Sequence, residues 1–114
     1  MEKENIRRGI IEIGVNAACD ELGAYLDEFE NELYNSKNGA KWHGYITDML
    51  VDCYQIQCDI LHTDYYIPDD LVSKINKWYD ATSELLIDFR CWLRNECNVK
   101  DNIFVRIDEK LHRK

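Results

Sequence analysis

The sequence predicts an all-α protein, an antiparallel bundle of three long helices with a short C-terminal helix, in one domain covering residues 1–114. Three observations lead there. Apolar residues recur at intervals of three and four along three long stretches, the spacing that lines one face of an α-helix. The connections between those stretches are short and rich in turn formers, which makes successive helices antiparallel neighbours. The only proline, Pro68, falls between the second and third stretch rather than inside either. A hydrophobic fraction of 46% in 114 residues is enough for one shared core.

The first helix is expected from Lys3 to Asn35, on the ladder Ile11, Val15, Ala18, Leu22, Leu26, Phe29 and Leu33. Gly14 and Gly23 lie inside it. Each costs on the order of 1 kcal/mol against alanine in a helix interior, so they predict close approach of a neighbour or a mild kink. A second stripe, Ile6, Ile10, Ile13 and Ala17, is surplus to a single core. It needs a cover, from the tail, a second copy of the chain or a foreign partner, and it is the candidate self-association surface. The helix should stop at Asn35-Ser36-Lys37-Asn38-Gly39, with Gly39 as a left-handed cap.

The second helix follows from Trp42 through Ile46, Met49, Cys53, Ile56 and Ile60, widened by Leu50, Tyr54 and Leu61. It gives way at His62 to Ile67. The third runs from Pro68, in the first helical position, to Glu96, with Asp69 and Asp70 in its first turn, where the helix dipole favours acids. Its ladder is Leu71, Ile75, Trp78, Thr82, Leu85, Phe89 and Trp92, the aromatics being core; Arg90 and Arg94 suit its negative end. In the tail, Ile103, Ile107 and Leu111 keep a period of four, while Asn102 to Ile107 is rich in strand formers. With no second strand to pair with, a short helix opening at Asp101 or Asn102 is expected.

Charge narrows the function. The chain has 22 acidic and 14 basic residues, a net charge of −8, which argues against binding nucleic acid or an anionic membrane and points to a basic protein partner. Met1 to Arg8 reads as neither signal peptide nor membrane span, so a cytoplasmic protein is expected. The five cysteines, Cys19, Cys53, Cys58, Cys91 and Cys97, read as reduced thiols within helices. Cys58 and His62 share a helix face, but no Cys-x-x-Cys is present, and no metal or cofactor is expected.

Catalytic patterns find little support. Glu28 with Glu32, Asp48 with Asp52 and Glu84 with Asp88 are carboxylate pairs four residues apart. They make a Mg²⁺-dependent helical nucleotide hydrolase the third-ranked reading. The all-helical nucleotide pyrophosphohydrolases hold the ion through Glu-x-x-Glu and Glu-x-x-Asp, a pattern lacking here. Asp59 and His62 have a di-iron ligand spacing without the glutamate partners. His43, His62 and His112 stand in no triad-like context, and no glycine-rich phosphate loop occurs.

The strongest pattern is electrostatic. Between Arg8 and Lys37 there is no lysine or arginine, and Glu21, Tyr25, Glu28 and Glu32 line one flank of the first helix beside Asp20 and Asp27. Glu28, Glu30 and Glu32 crowd its expected C-terminus, where negative charge opposes the dipole, a local rule broken as binding surfaces break it. The expectation is a small acidic protein-binding module and not an enzyme. It would be an inhibitor or immunity-type protein, such as a phage-encoded blocker, occupying the basic groove of a nucleic-acid-processing enzyme. Its contact residues would be Asp20, Glu21, Tyr25, Asp27, Glu28 and Glu32, with Tyr65 and Tyr66 as aromatic anchors. The alternative is a structural or adaptor subunit that self-associates through Ile6, Ile10, Ile13 and Ala17 into a homodimer.

Overall fold

The computed structural model describes residues 2–112, and side chains from residue 7 to 111. Ile6, expected in the surplus stripe, lies outside the described side chains. The chain is all-α: α1 (Glu2–Glu28), α2 (Glu30–Asn35), α3 (Gly39–Leu61), α4 (Asp69–Glu96) and α5 (Asp101–His112). No strand occurs among the described residues, and the tail resolves as the expected helix. No helix among them is long and apolar enough to cross a membrane.

Paired contacts fix how the long helices lie. Arg8, at the start of α1, reaches the end of α3, whereas Asn16 meets Gln57 at 2.7 Å and the Cys53 thiol meets the Val15 carbonyl at 3.6 Å. Residue numbers rise along α1 as they fall along α3. The same inversion relates α3 to α4, through Lys74 with Asp59 at 3.2 Å, Trp78 Nε1 donating to the Met49 carbonyl at 3.1 Å, and Trp42 beside Trp92 at 6.0 Å. α5 packs back on α1.

The predicted ladders are the core. Val15, Leu22, Phe29 and Leu33 are buried from the first stretch, Ile46, Cys53, Ile56 and Ile60 from the second, and Ile75, Trp78, Thr82, Phe89 and Trp92 from the third. Phe104 and Ile107 close it from α5. Around Phe89 the aromatics knit together: Tyr25 and Phe29 meet it edge-on at 5.8 and 6.1 Å, and Trp92 stacks at 5.7 Å. Edge and offset geometries of this kind add about 0.5–1.5 kcal/mol per pair beyond burial.

Three expectations about helix ends are corrected. The first helix is not continuous to Asn35; it breaks at Phe29, whose backbone (φ −108°, ψ 29°) leaves the α-helical range, and α2 starts afresh at Glu30. Gly14 and Gly23 are not the cause. A Cβ on Gly14 would lie 2.5 Å from the Tyr79 hydroxyl, while one on Gly23 would meet nothing within 4 Å.

Gly39 is not a left-handed cap, since no glycine has positive φ among the described residues. It opens α3 packed under the end of α2, where a Cβ would fall 2.1 Å from the Leu33 carbonyl oxygen and 2.6 Å from that of Glu32. The left-handed position belongs to Asn98 (φ 58°), which ends α4 and lets the Val99 N–H donate to the Leu93 carbonyl at 2.9 Å. Pro68, for its part, is the N-cap of α4 rather than its first helical residue, and its carbonyl accepts from the Val72 N–H at 3.0 Å.

The two glycines give opposite expectations. Gly39→Ala should lower unfolding stability by about 1–3 kcal/mol, because the clash is with backbone that cannot give way. Gly23→Ala should raise it by up to about 1 kcal/mol, since only helix propensity changes. Urea unfolding followed by circular dichroism reads both, and equal effects would contradict the close approach at Gly39.

Candidate partner-binding surface

The break at Phe29 changes the electrostatics of the acidic stretch. Glu30 and Glu32 stand in the first turn of α2, where free N–H groups favour carboxylates, not in the last turn of a long helix. Only Asp27 and Glu28 remain at a helix C-terminus, and no basic residue occupies that last turn. The broken rule inferred from the sequence is thus confined to two residues.

Exposure sorts the candidates. Asp20, Asp27, Glu28 and Glu30 are exposed, and Glu21 and Glu32 half-buried. Asp27, Glu28, Glu30 and Glu32 form no ion pair with the described residues. Asp20 and Glu21 do have interactions within the fold. Lys110, exposed on α5, lines a 370 Å³ depression shared with Asp27, Glu28, Cys19 and Tyr54. It is the one cation lining that depression.

Tyr25 is a correction. Expected on the acidic flank as a contact residue, it is fully buried. Its hydroxyl accepts a hydrogen bond from Arg90 Nε, whose guanidinium lies 5.5 Å from the ring centroid of Tyr25 and 5.3 Å from that of Phe104. Arg90 Nη2 donates to Asp108 Oδ1 at 3.1 Å. Burial pushes the Tyr25 phenol above its ordinary range despite the cation beside it, so it stays a neutral hydroxyl. Burial works against the charge on Arg90, but Tyr25 and Asp108 outweigh it and hold the guanidinium protonated. Arg94 repeats the arrangement nearer the end of α4, 5.1 Å from the Phe104 ring and 2.7 Å from Asp101. Both arginines therefore bind α5 rather than only complementing the dipole of α4.

Tyr65 and Tyr66 are exposed, as anchors must be, at 65% and 51%. They lie in the α3–α4 connection, which is tied to the start of α1. Arg8 donates to the carbonyls of Ile60 at 2.9 Å and Thr63 at 3.2 Å, to the Thr63 hydroxyl at 2.8 Å, and to the Asp64 carbonyl. A guanidinium on the last carbonyls of α3 satisfies groups the helix cannot. Glu28 is twenty residues further along α1, roughly 30 Å at 1.5 Å per residue. The tyrosines and the acidic stretch therefore occupy opposite ends of the molecule. Tyr66 is engaged within its own end, donating to Asp69 at 3.2 Å and lying under Arg7 at 5.8 Å.

The described part of the surplus apolar stripe stays uncovered. Ile10 and Ile13 are 65% and 71% exposed, and Ala17 is exposed as well. α5 reaches as far as a hollow lined by Ile13, Ala17, Asp108 and Leu111 but does not close over it. Across α1, a 440 Å³ groove toward α4 has Gly14, Ala17 and Ala18 on one side and Tyr79, Ser83 and the exposed Ile87 on the other.

The catalytic spacings do not come together. His62 Nδ1 lies 2.7 Å from the Cys58 carbonyl, and Asp59 accepts from Gln55 at 3.0 Å and pairs with Lys74. Gln55 and Lys74 hold the Asp59 carboxyl below its usual value. Among the described residues, no three His, Cys, Asp or Glu side chains converge as a metal site requires. Sequence reasoning missed Arg90 and Arg8 as the polar fasteners. Their only sequence signal is that each falls near an apolar ladder while carrying a charge. Comparison with protein-family models, with curated proteins and with solved structures gives no match.

Arg90→Ala should leave the Tyr25 hydroxyl and Asp108 without their partner, costing about 1–3 kcal/mol. The loss should concentrate in α5. Amide exchange of residues 101–111 is expected to accelerate more than that of α3, and uniform acceleration would show that Arg90 does not specifically hold the tail.

Proposed function

We propose that the chain is an antiparallel bundle of three long helices and a short tail helix that acts by binding a basic surface of another protein. The observation that carries the reading is the concentration of charge. Residues 19–36 hold Asp20, Glu21, Asp27, Glu28, Glu30 and Glu32 with no lysine or arginine, six of the eight net negative charges. Four of those carboxylates make no ion pair with described residues. A row of carboxylates at the end of an elongated body, 50 by 27 by 18 Å, suits a groove that otherwise holds phosphates. An inhibitor or immunity-type protein of a nucleic-acid-processing enzyme is the function this supports, with Asp27 and Glu28 at the centre of the contact.

Reversing Asp27, Glu28 and Glu32 to lysine should abolish capture of a basic partner from a host lysate, and should leave the helical circular dichroism signal unchanged. Wild-type capture should weaken at least tenfold on raising salt, because exposed charges act over a Debye length of about 8 Å at physiological ionic strength. Capture that survives both changes would refute the acidic contact.

A second reading has its own observation, the exposed Ile10 and Ile13. If these join two copies, light scattering should give twice the chain mass for the wild type and a single chain for Ile10→Asp/Ile13→Asp. A wild type that stays single at high concentration would eliminate it.

A further inference from the structure

We infer that Cys19 and Cys53 form a peroxide-responsive dithiol site, able to close into a disulfide that ties α1 to α3. The two cysteines lie on the packed pair α1 and α3, with Cys19 against the core cluster that contains Cys53. The Cys53 thiol is fully buried and donates to the Val15 carbonyl at 3.6 Å. Val15 stands one helical turn before Cys19, so its carbonyl is the one the Cys19 N–H meets within α1. Cys53 is thereby placed against the very turn that carries Cys19, and Cys19 lines a depression together with Leu50 and Tyr54 of α3, which flank Cys53 in sequence. Burial first, and then Cys19, push the Cys53 thiol up to about 12, which keeps it protonated until the Cys19 sulfur beside it is oxidised.

The pair is asymmetric in access. Cys53 is sealed in the core, while Cys19 is half-buried and opens on the 370 Å³ depression lined by Gly23, Leu50, Tyr54 and Lys110. A Cβ placed on Gly23 meets nothing within 4 Å, so the approach to Cys19 is open on that side. Of the remaining cysteines, Cys58 and Cys91 are exposed, and Cys97 has the Ser36 hydroxyl as its partner at 3.5 Å. None of these has a second cysteine as a described partner.

The oxidant is a hydroperoxide. The Cys19 sulfur attacks its terminal oxygen, the O–O bond breaks, and an alcohol or water leaves with the thiol proton, giving the Cys19 sulfenic acid. The Cys53 sulfur then displaces the hydroxyl from Cys19, the S–O bond breaks as the S–S bond forms, and the Cys53 proton departs with the hydroxyl as water. Two thiols are oxidised and one peroxide is reduced. The disulfide crosses from α1 to α3, so it locks the helix that bears the acidic stretch against its neighbour. The site is independent of which surface meets a partner.

Hydrogen peroxide treatment of the full chain, followed by alkylation and peptide mapping, tests the site. The expected result is loss of two of the five titratable thiols, a cross-linked peptide pair containing Cys19 and Cys53, and full reversal by dithiothreitol. A chain with Cys58→Ser, Cys91→Ser and Cys97→Ser should give the same linked pair and the same loss of two thiols. In Cys53→Ser, which removes the resolving thiol, dimedone should label Cys19. Cys19 and Cys53 both remaining alkylatable after peroxide, or a bridge linking either to Cys58, Cys91 or Cys97, would overturn the inference.

Discussion

The fold depends on one half-buried cation. A guanidinium taken out of water is costly unless its charge is met, and Arg90 finds a hydrogen-bond acceptor on each of two other helices. Its donors go to the Tyr25 hydroxyl of α1 and the Asp108 carboxylate of α5, and its face rests on the rings of Tyr25 and Phe104. α5, with 12 residues, is near the length at which an isolated helix is marginal in water, so docking supplies its stability. Phe104 and Ile107 bring the apolar part of that docking and Arg90 the directional part. Remove the cation, and the buried Tyr25 phenol becomes the unsatisfied group.

The same cation decides what the acidic stretch looks like. Tyr25 sits in the middle of that stretch by sequence, yet it points inward to meet Arg90, and Glu21 one turn before it lines the same groove as that arginine. Lys110 arrives beside Asp27 and Glu28 only because α5 is docked, and it makes no ion pair with them among the described residues. Among the described acidic residues of α1, Asp27 and Glu28 are therefore the ones left without an ion pair to a described residue. An uncompensated row of like charges destabilises the compact state, and what offsets it is the aromatic packing around Phe89 directly beneath.

How much of this was legible follows from what each feature rests on. The ladders were legible because burial of one face imposes a period, and Val15, Leu22, Ile46, Ile56, Ile75 and Phe89 are where the period puts them. The break at Phe29 was not, because Leu26, Phe29 and Leu33 keep the spacing of an unbroken helix. The turn comes from fitting α2 over the start of α3, where the Leu33 carbonyl presses on Gly39. The sequence marks Gly39 as special without saying why, since crowding and left-handed backbone both select glycine. Tyr25 was placed outside because tyrosine suits both core and rim, and only the position of Arg90, 65 residues away, decides between them. Pairings at that separation leave no local trace.

The division of α1 is the feature that bears most on function. Its opening half carries Ile10 and Ile13 in the open, together with Arg7 and Arg8, which face the α3–α4 connection. Its closing half carries carboxylates and a buried ladder. A surface that works through apolar burial gains about 25 cal/mol per Å² and is insensitive to salt, whereas one that works through exposed carboxylates gains rate and selectivity and is strongly salt-dependent. Ile10 and Ile13 lie roughly 20–30 Å by helical rise from Asp27 and Glu28, while Asp20 is only about 10 Å beyond Ile13. The two kinds meet at one hollow, which Ile13 and Ala17 line together with Asp20 and Glu21. Within the acidic half Asp20 and Glu21 interact inside the fold, whereas Asp27 and Glu28 form no ion pair with the described residues, and it is there that the proposed basic surface would make contact.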